Sequence, residues 1–161
     1  MPDVKSEIFI PAPPERVWDV LADFKSYPEW NTFNPTMSCD SFQAGSTVRF
    51  RLVLDIIKPQ QVTTTMYRID VGKEFVWGNV PLYFNVLGHS EHNFTVESAT
   101  EDGVSGTKFW HEERFHGLLA AILPGAFYRS VQRGFDTLCR DVKRRAEMIE
   151  EGNVVKGAAS P

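Results

Sequence analysis

The sequence lacks several features, and each absence excludes a class of protein. It has two cysteines, Cys39 and Cys139, which lie far apart and show neither metal-ligand nor Cys-x-x-Cys spacing, so we interpret them as reduced thiols. No stretch approaches the roughly 18 consecutive apolar residues of a membrane-spanning helix. The first residues also lack the apolar region of a signal peptide. These features predict a cytoplasmic protein.

Basic residues are not in excess either. The formal net charge is −4, with 17 Lys and Arg against 21 Asp and Glu. Proteins that bind nucleic acid obtain much of their affinity from clustered Lys and Arg, so we expect no nucleic-acid partner. Hydrophobic residues make up 42% of the 161 residues, which suits one domain with a continuous core. We predict a single domain over residues 1–152 and a flexible tail over 153–161.

The middle of the sequence predicts a series of antiparallel strands. It is rich in Thr, Val, Phe and Trp and is interrupted by glycines. In residues 47–55 the even positions are mainly apolar and most odd positions are polar, the alternation of a sheet with one face in water. Strands are predicted at residues 4–10, 47–55, 61–69, 74–79, 88–97 and 107–116. Turns are predicted at residues 70–72 and 100–106.

Helices are predicted on both sides of these strands. Pro13 and Pro14 suit the start of a short helix, and a second brief helical turn follows around Tyr27. Residues 126–151 contain no proline and one glycine. They carry apolar residues at spacings of three and four, which predicts a long amphipathic helix. Its apolar stripe consists of Phe127, Val131, Phe135, Leu138 and Val142.

Two segments of the sequence resemble a known family. The first, IFIPAPPERVWDVLADFKSYPEWN, carries Ile10-Pro11-Ala12-Pro13, Val17-Trp18, Leu21, Asp23, Tyr27, Trp30 and Asn31. The second begins at Gly106-Thr107 and ends at Glu113-Arg114-Phe115-His116-Gly117. Both resemble the SRPBCC group, the polyketide cyclase/dehydrase and lipid-transfer-like branch of the START/Bet v 1 superfamily.

The resemblance implies a fold and a range of functions. The fold is α+β, a helix-grip fold with a curved antiparallel sheet of about seven strands around a long C-terminal helix and two short helices after strand 1. It implies a cavity between the sheet and the long helix. Members of the superfamily carry lipids, hormones and quinones, cyclise or dehydrate polyketides, or regulate chaperones. The resemblance therefore predicts the fold better than the activity.

Three polar residues are predicted to share one interior wall. Strand alternation turns His92 inward in one strand and His111 and Glu113 inward in the next, while His89 and His116 fall on the outer face. If Phe94 pairs with His111, then His92 lies opposite Glu113. A buried imidazole beside a carboxylate can act as a base near neutral pH, so His92, His111 and Glu113 are candidate catalytic residues.

The same three residues have other interpretations. They can satisfy one another's hydrogen bonds, or orient the single polar end of a ligand. Two histidines and one carboxylate also match the ligand set of a non-haem iron or zinc site. Nothing in this branch of the superfamily implies a metal, so we expect neither a metal nor a cofactor.

Apolar residues that face the same interior are candidate ligand-binding residues. The aromatic pair Phe75 and Trp77 would form a wall, and the stripe on the long helix would form the floor. Arg68 shares an alternating face with Val62, Thr64 and Met66, and would bind a carboxylate or phenolate there. The predicted ligand-binding set is Phe50, Leu52, Arg68, Phe75, Trp77, Phe94, Phe109, Phe115, Phe127, Val131, Phe135 and Leu138.

A short apolar run precedes the long helix. It contains Leu118, Leu119, Ile122 and Leu123 between Gly117 and Pro124. The run suits a lid over the cavity mouth, a homodimer contact or a transient membrane contact, and the sequence leaves these alternatives open.

These observations predict a protein that binds a small hydrophobic metabolite in an internal cavity, such as a polyketide, a lipid or an aromatic compound. The alternative is a cofactor-independent cyclase or dehydratase, of the lyase or isomerase class, that uses the interior His and Glu residues. A second alternative is a chaperone-regulator-like interaction domain, whose sign would be an apolar surface without an internal void.

Overall fold

An antiparallel sheet of seven strands dominates the computed structural model, which describes residues 3–79 and 89–158. The strand order is β1-β7-β6-β5-β4-β3-β2, so strands that follow one another in sequence are neighbours, except that β1 pairs with β7. The strands are β1 Asp3–Ile10, β2 Met37–Cys39, β3 Thr47–Leu52, β4 Gln60–Asp70, β5 Glu74–Asn79, β6 His89–Glu101 and β7 Val104–His116.

Helices cover one face of the sheet. The long helix α4 packs against β1, β7 and α1, and its residues Val131, Phe135, Leu138 and Val142 are buried. The predicted helix-grip fold is thus confirmed. The helices are α1 Pro14–Ala22, α2 Tyr27–Trp30, α3 Leu118–Ile122 and α4 Gly125–Ala158, with a 3-10 turn at Phe24–Ser26. Pro14 opens α1, where a missing N–H costs no helical hydrogen bond.

The hairpin of β6 and β7 is longer than the sequence predicts. We expected a turn over residues 100–106, but pairing continues to Glu101 and Val104, and Asp102 and Gly103 alone form the turn. Both have positive φ, 50° and 79°, which is the type I′ geometry that matches the twist of a hairpin. The Asp-Gly pair is the sequence signal for this turn.

Other boundaries also differ. β3 ends at Leu52, not at residue 55, because the following segment turns toward α4, where the Asp55 carboxylate accepts hydrogen bonds from Ser130 and Arg133. The short edge strand β2 carries too few residues to show a periodic pattern and was not located in the sequence. α4 continues to Ala158, beyond its predicted end at residue 151.

The state of the cysteines and the character of the helices can also be compared with the sequence predictions. Cys39 and Cys139 are both free thiols. Within residues 3–79 and 89–158, no helix combines the length and the apolar character needed to cross a membrane.

Candidate functional site

A half-enclosed cavity of about 210 Å³ lies between the sheet and the first half of α4. Its walls come from β3 to β7, from α4 and from the loop after α2, so it occupies the space that the helix-grip fold leaves between layers. Six residues of the predicted ligand-binding set line it: Phe50, Leu52, Trp77, Phe115, Phe127 and Val131.

Five other residues of that set lie in the closed core instead of in the cavity wall. They are at most 2% exposed and pack against one another or against neighbouring rings. For example, the ring of Phe75 contacts those of Trp18, Phe24 and Phe94 at centroid distances of 4.7–6.2 Å. Strand and helix patterns predicted that these five side chains point inward. They did not predict that residues of the helices fill the space beside them. These residues are Phe75, Phe94, Phe109, Phe135 and Leu138.

The prediction for Arg68 is wrong. A β-bulge between Met66 and Arg68 shifts the register against β5, so alternation counted from Met66 no longer applies. The Arg68 side chain is 61% exposed, and its guanidinium group binds the Glu74 carboxylate at 2.8 Å. It therefore does not reach the cavity.

Five cavity residues were absent from the predicted set. Val62 and Thr64 share the inward face of β4, and Ser90 lies inward on β6, so strand alternation held a signal for all three. Phe33 comes from a loop and carries no periodic signal. The full group is Phe33, Val62, Thr64, Gly78 and Ser90.

The structure brings His92, His111 and Glu113 together on one wall. Phe94 pairs with His111 and His92 pairs with Glu113, as in the register assumed from the sequence. His92 and Glu113 line the cavity, whereas His111 is fully buried behind them and stacks on Phe135 at a centroid distance of 3.6 Å. A ligand in the cavity would therefore contact His92 and Glu113 directly.

A chain of hydrogen bonds fixes the protonation of the two imidazoles. The indole N–H of Trp77 donates to Nδ1 of His92 at 3.3 Å, so neutral His92 carries its proton on Nε2. That nitrogen lies 3.0 Å from Nε2 of His111, which must then accept. The His111 proton is left on Nδ1, an atom without a hydrogen-bond partner among the described residues. Both imidazoles are thus neutral in a defined tautomer.

Burial determines which of the three groups titrates near neutral pH. It lowers the pKa of His92 to about 3, and burial together with the neighbouring His92 lowers the pKa of His111 well below its ordinary value. Burial raises the pKa of Glu113 to about 7, opposed in part by a hydrogen bond to Ser90. His92 Nε2 and Glu113 Oε2 are 3.9 Å apart, and with a neutral imidazole they form no ion pair. Glu113 is therefore the better base.

Neither the metal alternative nor an additional histidine finds support here. Within the described ranges, no group of three or more His, Cys, Asp or Glu side chains is arranged to hold a metal ion. His89 and His116 stack on each other at 4.6 Å, and their partly exposed rings are not among the cavity residues.

The apolar run before α4 forms α3. Leu118 is 62% exposed and Ile122 is 67% exposed, whereas Ala120 is buried and its carbonyl accepts a hydrogen bond from the Tyr128 hydroxyl. Leu123 is half-buried, and the side chain of Leu119 lies outside the described residues. The exposed pair lies in the segment between the cavity residues Phe115 and Phe127. The lid, dimer and membrane interpretations stay predictions.

Comparison with protein families identifies the family of this chain. The family model for polyketide cyclase / dehydrase and lipid transport matches residues 1–147. The chain belongs to this family. No curated protein matches the sequence significantly.

Solved structures share the fold at low sequence identity. TTHA0849 from Thermus thermophilus has a TM-score of 0.70 at 16% identity, over 92% of this chain and 99% of its own. A START superfamily protein from Mycobacterium smegmatis gives 0.68 at 15%, over 91% and 98%. The Zhui aromatase/cyclase from Streptomyces sp. R1128 gives 0.65 at 18%, over 91% and 93%. At these identities the likeness establishes the fold alone.

Proposed function

We propose that the protein binds a small hydrophobic molecule in the cavity and orients it by hydrogen bonds to a few polar side chains. The observation that carries this proposal is the distribution of polarity in the cavity wall. Most of the wall is apolar, while His92, Ser90 and Glu113 converge on one side. This is the usual composition of small-molecule sites, in which a few polar groups set the orientation.

The hydroxyl of Thr64 supports a ligand with a second polar atom. Thr64 is 5% exposed and lines the cavity, and its Oγ1 has no hydrogen-bond partner among the described residues. A buried hydroxyl without a partner costs free energy, which a ligand atom would recover. Thr64 lies on β4, away from Glu113 on β7, so this second polar atom would lie apart from the ligand group that contacts Glu113.

A cyclase or dehydratase activity is the second candidate, and the raised pKa of Glu113 favours it. A carboxyl group with a pKa of about 7 is half ionised at neutral pH, and can both accept and return a proton. It would take a proton from the carbon next to a substrate carbonyl and return it to a hydroxyl that leaves as water. His92 Nε2 lies 3.9 Å from Glu113 Oε2, but its proton is donated to His111, so Glu113 carries the proton transfer. No cofactor is needed for this chemistry.

The interaction-domain alternative has less support. Its predicted sign was an apolar surface without an internal void, and the cavity is such a void. The exposed pair Leu118 and Ile122 is the remaining argument for a protein or membrane partner.

The first experiment is native mass spectrometry of the purified protein before and after denaturation, to find a small molecule that copurifies. The second is titration with 2-naphthol, a two-ring phenol, followed by calorimetry. Val62→Trp fills the cavity from β4 and should weaken 2-naphthol binding at least tenfold. Ile69→Trp is the matched control, because Ile69 is half-buried on the same strand but does not line the cavity. Equal affinity in both variants would show that binding occurs elsewhere.

Turnover separates the binding function from the enzymatic one. A poly-β-carbonyl compound that binds should be converted by the wild type, and Glu113→Gln should abolish conversion with little change in affinity. If both proteins bind the compound and neither converts it, only the binding function remains supported.

A further inference from the structure

A surface groove of about 270 Å³ lies behind one wall of the cavity. It runs between α4 and the segment that joins β3 to β4. Residues of both elements line it, among them Leu54, Asp55, Ser130, Gly134 and Thr137. The volume of the groove is larger than the 210 Å³ of the cavity.

The ring of Phe33 separates the groove from the cavity. Phe33 is the residue that lines both spaces, and it is 3% exposed. Its ring lies against the backbone of α4 at Gly134, where a Cβ atom would overlap Cε2 of Phe33. The ring also contacts Phe135 edge-on at 5.8 Å. Phe33 is thus the residue common to the linings of both spaces.

The backbone around Phe33 is anchored independently of the ring. Thr32 donates hydrogen bonds from its N–H and its hydroxyl to Oδ2 of Asp141, at 3.1 and 2.8 Å. The carbonyl of Phe33 accepts from the N–H of Val53 at 3.1 Å. The ring is held by packing contacts and by no hydrogen bond, so a turn about its side-chain bonds would leave these backbone contacts in place.

An exposed ion pair holds the outer side of the groove. The Asp55 carboxylate binds Arg133 at 2.6 Å and Ser130, which links the segment after β3 to α4. Both charged side chains are more than half exposed, so this contact is weak and opens easily.

We propose that the groove and the cavity are two halves of one binding site for an elongated apolar ligand, divided in the empty protein by the ring of Phe33. The inference rests on the proposed ligand-binding function. The ligand's polar end would lie near Glu113, and its distal apolar part would displace the ring and pack along α4 at Gly134. The cavity alone is smaller than the ~300–1,000 Å³ of typical ligand sites, whereas the two volumes together fall within that range. Phe33 then determines which ligand lengths are accepted.

Two phenols that differ in length test this proposal. The probes are 2-naphthol and 6-phenyl-2-naphthol, which share a polar end. Thr137→Trp fills the groove, and should weaken 6-phenyl-2-naphthol at least tenfold while 2-naphthol changes less than twofold. Phe33→Ala should strengthen the longer probe. If Thr137→Trp leaves the longer probe unchanged, or weakens both equally, the groove is not part of the site.

The two proposals fail in different ways. Should 2-naphthol bind without sensitivity to Val62→Trp, the proposed function fails, whatever the groove does. Should Val62→Trp block both probes while Thr137→Trp blocks neither, the cavity binds ligands and the groove does not. The second result overturns the inference alone.

A measurement without ligand addresses the dividing ring directly. With 5-fluorotryptophan incorporated, dissolved oxygen should relax the ¹⁹F signal of Trp77, a cavity residue that is 2% exposed. We expect Phe33→Ala to raise this relaxation at least twofold over the wild type, because Phe33 lines both the cavity and the groove. Equal relaxation in Phe33→Ala and the wild type would contradict a passage at Phe33. A dispersed Trp77 signal also shows that the variant is folded.

Discussion

The interior of the protein has a filled end and a hollow end, built on the same face of the same sheet. At the filled end, the rings of Trp18, Phe24, Phe75 and Phe94 contact one another at centroid distances of 4.7–6.2 Å, and the exposed Phe42 packs over them. At the hollow end, inward residues of β3 to β7 surround about 210 Å³. The strand pattern is alike at both ends, so the opposite layer decides which end is hollow.

The difference comes from what the helical side supplies. Trp18 from α1 and Phe24 from the 3-10 turn lie directly over β5 and fill its first half. Val131 and the half-buried Phe127 of α4 face the other end and leave space. Trp77 stands at the boundary, since it contacts Phe75 on one side and lines the cavity on the other. The cavity therefore exists because the helices place fewer large side chains over this end of the sheet.

Removing one ring from each end gives the largest expected contrast. Phe75→Ala should lower the free energy of unfolding by about 3–5 kcal/mol, because Phe75 is fully buried and the hole cannot collapse. Phe127→Ala should cost about 1 kcal/mol, because its ring already borders empty space and loses fewer contacts. Urea unfolding measures both. Equal losses would mean that the two ends are packed alike.

Glu113→Gln tests the polar side of the hollow end through pH. The pKa of Glu113 is raised from 4.5 to about 7 on folding, so between these values the folded protein keeps a proton that the unfolded chain loses. Stability from this group is full below about pH 4.5 and is lost as the pH rises through 7, by roughly 3 kcal/mol in total.

Glu113→Gln has no carboxyl group at this position and does not lose stability in this way as the pH rises. It should match the wild type at about pH 4 and exceed it by up to roughly 3 kcal/mol at about pH 8 in urea unfolding. The lowered pKa values of His92 and His111 produce the opposite trend, stability lost as the pH falls, but they act in both proteins and cancel in the difference. A difference independent of pH would show that Glu113 is ionised at an ordinary pKa.

Thr64→Val should give the smallest effect, and in the stabilising direction. The substitution keeps the shape and removes a buried hydroxyl that has no partner among the described residues. We expect a gain of about 1 kcal/mol in the free energy of unfolding without ligand, measured by urea unfolding. Thr64→Ser, which keeps the hydroxyl, is the control and should show no such gain. A loss in Thr64→Val would reveal a hydrogen bond made by Thr64 in solution.

Much of the sheet could be predicted because its residues alternate strictly. The inward faces of β6 and β7 and the pairing of His92 with Glu113 followed from alternation and one assumed register. The prediction for Arg68 also relied on alternation, and it failed because a single bulge reverses the inward and outward assignment of every later residue in that strand. The sequence predicted a histidine that acts as a base near neutral pH, whereas burial lowers the pKa of His92 and raises that of Glu113 to about 7.

The empty volume itself had no sequence signal. Phe94 and Trp77 are inward residues of the same kind, yet one lies in the closed core and the other in the cavity wall. Which of them meets empty space depends on where the helices cross the sheet, a long-range property that local periodicity does not contain. Phe33 was missed because loops have no periodic pattern.

The absence of a side chain at Gly134 makes this position informative across related sequences. Glycine within a helix costs about 1 kcal/mol relative to alanine, and α4 accepts this cost where the ring of Phe33 occupies the place of a Cβ atom. In a relative with alanine or a larger residue at this position, an aromatic ring cannot pack against the helix. The cavity and the groove are then expected to form one continuous space. A single column of an alignment would then sort family members by the length of the molecules they accept, before any of them is crystallised.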